Sequence, residues 1–78
     1  MNENQLLDRF EDMASGSINS IKELGTDENL PSVIELNTLI WVSRKLTGLS
    51  EFEMERIIQR EIGLSLDDLA KIEESYYN

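Results

Sequence analysis

The segment that decides the fold, residues 57–72, reads IIQREIGLSLDDLAKI. Apolar residues recur three and four positions apart on both sides of Gly63, which is the spacing of helices with one buried face. Glycine ends helices readily because it adopts the left-handed conformation at no steric cost. Ser65 followed by Asp68 fits a capping box, a reciprocal pair of bonds at a helix start. The segment therefore predicts one helix ending near Ile62 and another beginning near Leu66.

Similar signals for the ends and starts of helices occur elsewhere in the chain. Gly25 and Gly48 also follow apolar stripes, Pro31 suits a first helical turn, and Ser50 followed by Glu53 predicts a second capping box. The 78 residues are enough for one domain. We predict an all-α fold, a small four-helix domain over residues 1–78: a long first helix, then a compact three-helix unit ending in a helix–turn–helix-like pair. The expected helices are about 3–24, 32–47, 51–62 and 66–76.

The middle of the first helix is weak, because it contains Ser15, Gly16 and Ser17. Glycine inside a helix costs about 1 kcal/mol relative to alanine. We expect one continuous helix. A kink or split, a close approach of another helix at these small residues, or a flexible or self-associating first helix remain alternatives.

The second helix has apolar residues on more than one face, which is typical of a central helix. Trp41 lies in the middle of it and is expected in the core. The residues predicted to form most of the core are Leu36, Leu39, Ile40, Phe52, Ile57, Ile58, Ile62, Leu66, Leu69 and Ile72.

The chain has no histidine and no cysteine, which removes the usual zinc ligands and the common nucleophile–base pairs. Carboxylates near helix starts, such as Glu51 and Asp68, are explained by the helix dipole. Ser65 at a helix start, with the chain's size and acidity, superficially looks like an acyl carrier protein, but Leu64 stands where that family has aspartate. We therefore predict a non-enzymatic protein with no catalytic or metal-binding residues and no cofactor.

Sixteen acids against seven bases give a formal net charge of -9. Such a charge disfavours direct nucleic-acid binding and anionic membranes, and it favours a protein partner with a basic surface. Solubility alone is the other interpretation of the acidity. The first residues have no positive region followed by an apolar run, so we expect a cytoplasmic protein, or one in the host cytoplasm if a phage encodes it.

The candidate partner-binding residues are acids of the first and last helices and the tyrosines at the chain's end. Glu73 and Glu74 lie near a helix C-terminus, where the dipole disfavours carboxylates, and tyrosine is enriched at interfaces. The full set is Asp8, Glu11, Asp12, Asp67, Glu73, Glu74, Tyr76 and Tyr77.

These observations favour a regulator or adaptor that binds another protein, by analogy of size and charge with inhibitors from phages and mobile elements. Its partner could be a basic nucleic-acid-binding protein whose site it blocks. A homodimer through the first or second helix is also expected, because a long amphipathic helix exceeds what a small core can cover.

Two alternatives stay open. Residues 60–69 look like the glycine-turn segments of many bacterial regulator domains, so the chain could be a helix–turn–helix transcription regulator. Four carboxylates and one lysine in residues 66–74 oppose that function, which would need Arg44, Lys45, Arg56 and Arg60 on one face. The other alternative is a structural or assembly subunit.

Overall fold

Four helices make up the computed structural model, which describes residues 2–77. They are α1 (Glu3–Leu24), α2 (Leu30–Thr47), α3 (Glu51–Ile62) and α4 (Leu66–Tyr77). The predicted all-α, four-helix fold is confirmed, and residues 1 and 78 of the expected domain lie outside the described part. The second helix begins two residues earlier than predicted, with Pro31 in its first turn. None of the helices between residues 2 and 77 is long and apolar enough to cross a membrane.

Helix α1 is continuous through its weak middle, as predicted. Gly16 faces solvent, and apart from its two chain neighbours and the nearby backbone of its own helix no described residue lies within 4 Å of the place where a β-carbon would stand. The small residues that are buried are its neighbours Ala14 and Ser17. The hydroxyl of Ser17 has no hydrogen-bond partner among residues 2–77.

Helix α1 supplies a third of the buried apolar residues and packs against both α2 and α3, while α4 packs against α2. The first helix is therefore integral to the domain. The last three helices were expected to form a compact unit, but the helices group differently. Helix α3 packs mainly on α1, and within residues 2–77 the α3–α4 pair is not extensively packed. The core consists of Phe10, Ala14, Ile18, Ile21, Val33, Leu36, Ile40, Leu49, Met54, Ile57, Ile58 and Leu69.

Two predicted core residues are at the surface. Phe52 is 70% exposed, because it lies on the side of α3 opposite the buried Met54 and Ile58. Trp41 is 56% exposed, on the flank of α2 rather than on its buried face. Four other predicted members, Leu39, Ile62, Leu66 and Ile72, are partly buried and pack against the core.

The predicted capping box of α4 is present, whereas that of α3 is not. Ser65 Oγ accepts the Asp68 N–H at 3.0 Å, and an Asp68 carboxylate oxygen accepts the Ser65 N–H at 3.0 Å. The Ser65 N–H that donates to the Asp68 carboxylate, and after it the Ser65 side chain, hold the pKa of Asp68 below its usual value. At α3, the Ser50 side chain makes no capping bond within the described residues. Helix α1 has a box that was not predicted, between Asn2 and Gln5.

The two serines make a matched pair for mutagenesis. Ser65→Ala should lower the free energy of unfolding by about 1 kcal/mol, because it removes a side-chain cap. It should also raise the pKa of Asp68 toward the ordinary value, since one of the two bonds that favour the ionised form is lost. Because the pKa of Asp68 is lower in the folded chain than in the unfolded chain, ionised Asp68 stabilises the fold at pH values above the ordinary carboxyl pKa. That contribution is lost as the pH falls through the folded-state pKa of Asp68.

Urea titration and carboxyl NMR would measure both effects. Ser50→Ala is the control and should change stability far less, because no side-chain bond is lost. Equal losses in the two variants would contradict the capping difference.

A candidate protein-binding groove between α2 and α4

Asn37 fixes α4 against α2. Its side-chain amide donates to the Leu69 carbonyl at 3.1 Å and to a Glu73 carboxylate oxygen at 2.9 Å. A polar residue in the middle of an apolar helix is thereby satisfied by the backbone and a side chain of the neighbouring helix. Leu69 itself is fully buried beneath this contact.

A groove of about 580 Å³ opens beside this contact, along the junction of α2 and α4. Its apolar lining comes from both helices. Trp41 and Tyr77 are the large exposed side chains in it, at 56% and 67% exposure. The other apolar lining residues are Ile40, Leu66 and Ala70.

The rim of this groove is acidic. Asp67, Glu73 and Glu74 line it from α4. Arg44 also lines it, but Arg44 forms an ion pair with Glu51, so its charge is compensated by the chain itself. The groove therefore combines exposed aromatic surface with three further carboxylates.

The predicted partner-binding residues do not form one site. Asp67, Glu73, Glu74 and Tyr77 line the α2–α4 groove. Tyr76 makes an edge-to-face contact with Tyr77, at 5.6 Å between ring centres, but it lines a different small pocket beside Thr26 and Leu30.

The three acids of α1 lie in other places. Asp8 and Glu11 line a groove between α1 and α3, where Glu11 pairs with Arg60 at 2.8 Å. Asp12 lines a third groove, between α1 and α2. The carboxylate of Glu11 is thus partly neutralised within the domain.

The basic residues also divide between surfaces. Arg56 and Arg60 line the α1–α3 groove, whereas Arg44 lines the α2–α4 groove. Glu61 accepts from Lys22 at 3.1 Å and also pairs with Arg60. These two cations, Lys22 first, hold the pKa of Glu61 below its usual value.

Asn37 and Trp41 are among the residues of the α2–α4 groove that sequence reasoning missed. Asn37 carried a signal, because an amide inside an apolar helix needs partners. Trp41 carried only an ambiguous signal, since indole suits both cores and interfaces.

Among residues 2–77, no group of three or more acidic, histidine or cysteine side chains could hold a metal ion.

Comparison of the whole chain with protein-family models, with curated proteins and with solved structures finds no match in any of the three.

Proposed function

We propose that this protein is a non-enzymatic regulator or adaptor of the cytoplasm that binds a basic, amphipathic segment of another protein in the α2–α4 groove. Basic segments of this kind occur in nucleic-acid-binding proteins, so occupation of the groove would block such a partner's own site. The observation that carries the proposal is the pairing of exposed Trp41 and Tyr77 with three carboxylates in one groove.

The apolar part of the groove supports a helical occupant. Amphipathic helices bind by laying their apolar face into a hydrophobic groove. Tryptophan and tyrosine are enriched among the residues that contribute most to binding. Trp41 and Tyr77 come from different helices but line the same groove, so one bound helix would contact both.

The acidic rim supports a cationic occupant. Asp67 and Glu74 are exposed, and the chain as a whole carries a net charge of -9. Such a field speeds the approach of a basic partner and repels acidic ones. It also predicts that the affinity falls as salt is added, since screening weakens exposed charge pairs.

The test uses a synthetic lysine–leucine amphipathic helical peptide, with a scrambled peptide of identical composition beside it, and titration calorimetry. Trp41→Ala should weaken binding of the amphipathic peptide by roughly thirtyfold, in line with an interface residue contributing about 2 kcal/mol. Phe52→Ala is the matched control, because Phe52 is also an exposed aromatic residue, at 70%, but does not line the groove. Its binding should stay unchanged.

The charge contribution has its own matched pair. Asp67→Asn and Asp8→Asn remove the same charge from exposed positions, inside and outside the groove respectively. Only the first should weaken binding and flatten its salt dependence. Equal binding of the scrambled peptide, or indifference of binding to salt, would overturn the proposal.

Capture of partners from the native cell by wild type and by Trp41→Ala in parallel would identify the natural occupant. A partner that binds nucleic acid should lose its nucleic acid in competition with the wild-type protein and keep it with the variant.

A further inference from the structure

The groove between α1 and α2 that Asp12 lines differs in character from the α2–α4 groove. Its volume is about 460 Å³, and its lining is formed by Leu6, Arg9, Asp12, Met13, Ser43 and Thr47. Met13 is 56% exposed, whereas the next residue of the helix, Ala14, is fully buried. We call this surface the α1–α2 seam.

Exposed apolar surface continues along α2 at the edge of the seam. Leu46 follows Ser43 by three residues, so the two lie on the same side of the helix. Ser43 lines the seam, which places Leu46 at its edge. Leu46 is 77% exposed, the highest value among the large apolar side chains of residues 2–77.

The charges of the seam cancel. One cation, Arg9, and one carboxylate, Asp12, line it. The α2–α4 groove and the α1–α3 groove each contain more carboxylates than cations. A chain with a net charge of -9 repels its own copies, and it does so least where the local charge is balanced.

We propose that the α1–α2 seam binds a second copy of this chain, in a symmetric dimer in which the same surface is used twice. A two-fold interface is self-complementary, so each copy would bring the same balanced pair of lining charges to the contact. Burial of Met13 and Leu46 would supply apolar contact area that a 78-residue domain lacks. This surface is distinct from the α2–α4 groove, and the dimer leaves that groove open.

Salt distinguishes this association from binding of a basic partner. Added salt screens the repulsion between two acidic copies, so the dimer should become tighter as ionic strength rises. Binding in the α2–α4 groove should become weaker under the same change. The two proposals therefore fail independently.

Sedimentation equilibrium of the full chain, from low micromolar to near-millimolar protein, tests the dimer. Wild type should be a concentration-dependent dimer, and Met13→Glu should raise the dimer dissociation constant by roughly tenfold or more, because a charge replaces an apolar contact on both sides. Phe52→Glu is the control, since it adds the same charge at an exposed apolar residue outside the seam. Circular dichroism would check that each variant is folded.

A wild-type protein that stays monomeric at every concentration and at high salt would overturn the proposal. Equal dissociation of the Met13→Glu and Phe52→Glu dimers would also overturn it, because total charge rather than the seam would then control association. Leu46→Glu gives a second variant at the seam edge and should behave like Met13→Glu.

Discussion

Phe10→Ala is expected to lower the free energy of unfolding by about 3–5 kcal/mol, the usual cost of deleting a buried phenyl ring. Phe10 is fully buried in the core, on the face of α1 that packs against α2 and α3. A domain of this length has a total stability of about 4–12 kcal/mol. The substitution should therefore remove a large fraction of the stability, and near the lower end of that range it would leave much of the chain unfolded.

The chain provides its own control, because its other phenylalanine is exposed. Phe52→Ala removes the same atoms from a side chain that is 70% exposed and should change stability by no more than about 0.5 kcal/mol. Urea denaturation followed by far-ultraviolet circular dichroism would measure both variants. A Phe10→Ala loss below about 1 kcal/mol would mean that α1 is not part of the cooperative unit.

Asn37→Asp is expected to lower the free energy of unfolding by about 3 kcal/mol at neutral pH. The substitution removes an amide that donates to the Leu69 carbonyl and to the Glu73 carboxylate. It then places a second carboxylate against both acceptors, so two hydrogen bonds are lost and a like-charge repulsion is added. The α2–α4 junction, and with it the groove, should loosen first.

The pH dependence separates this explanation from a general effect of added negative charge. The loss of stability in Asn37→Asp should shrink as the pH falls below about 5, because protonation of the introduced carboxylate removes the repulsion and restores a hydrogen-bond donor. Asn19→Asp makes the same change at an exposed position of α1 and should cost no more than about 0.5 kcal/mol. Thermal melts of both variants at neutral and acidic pH would measure the difference, and parallel pH profiles would contradict the role given to Asn37.

The helices could be predicted from the sequence because their ends are encoded locally. Gly25, Gly48 and Gly63 adopt positive φ values where the first three helices end, and Ser65 makes the expected capping box. These features depend on residues within a few positions of one another. Helix α2 starts two residues before the predicted position, and the signal there is weak because the Asn29 side chain donates to Ser20 and to the Gly25 carbonyl instead of capping the helix.

The grouping of the helices depended on contacts between distant residues and was predicted less well. Short links suggested that the last three helices pack together, but a short link fixes only the separation of two ends. Lys22 meets Glu61 and Glu11 meets Arg60 because α3 folds back against α1. The candidate groove also joins distant segments, and the predicted residues that line it all come from α4.

Trp41 gives this protein a spectroscopic property that follows from its position. It is the single tryptophan of the chain and its indole is more than half exposed on the groove wall. Its fluorescence in the folded state should already resemble that of a hydrated indole, so emission wavelength would be a poor reporter of denaturation. The same exposure makes it a sensitive reporter of occupancy, because a ligand that covers the ring would move the emission to the blue without any change in the fold.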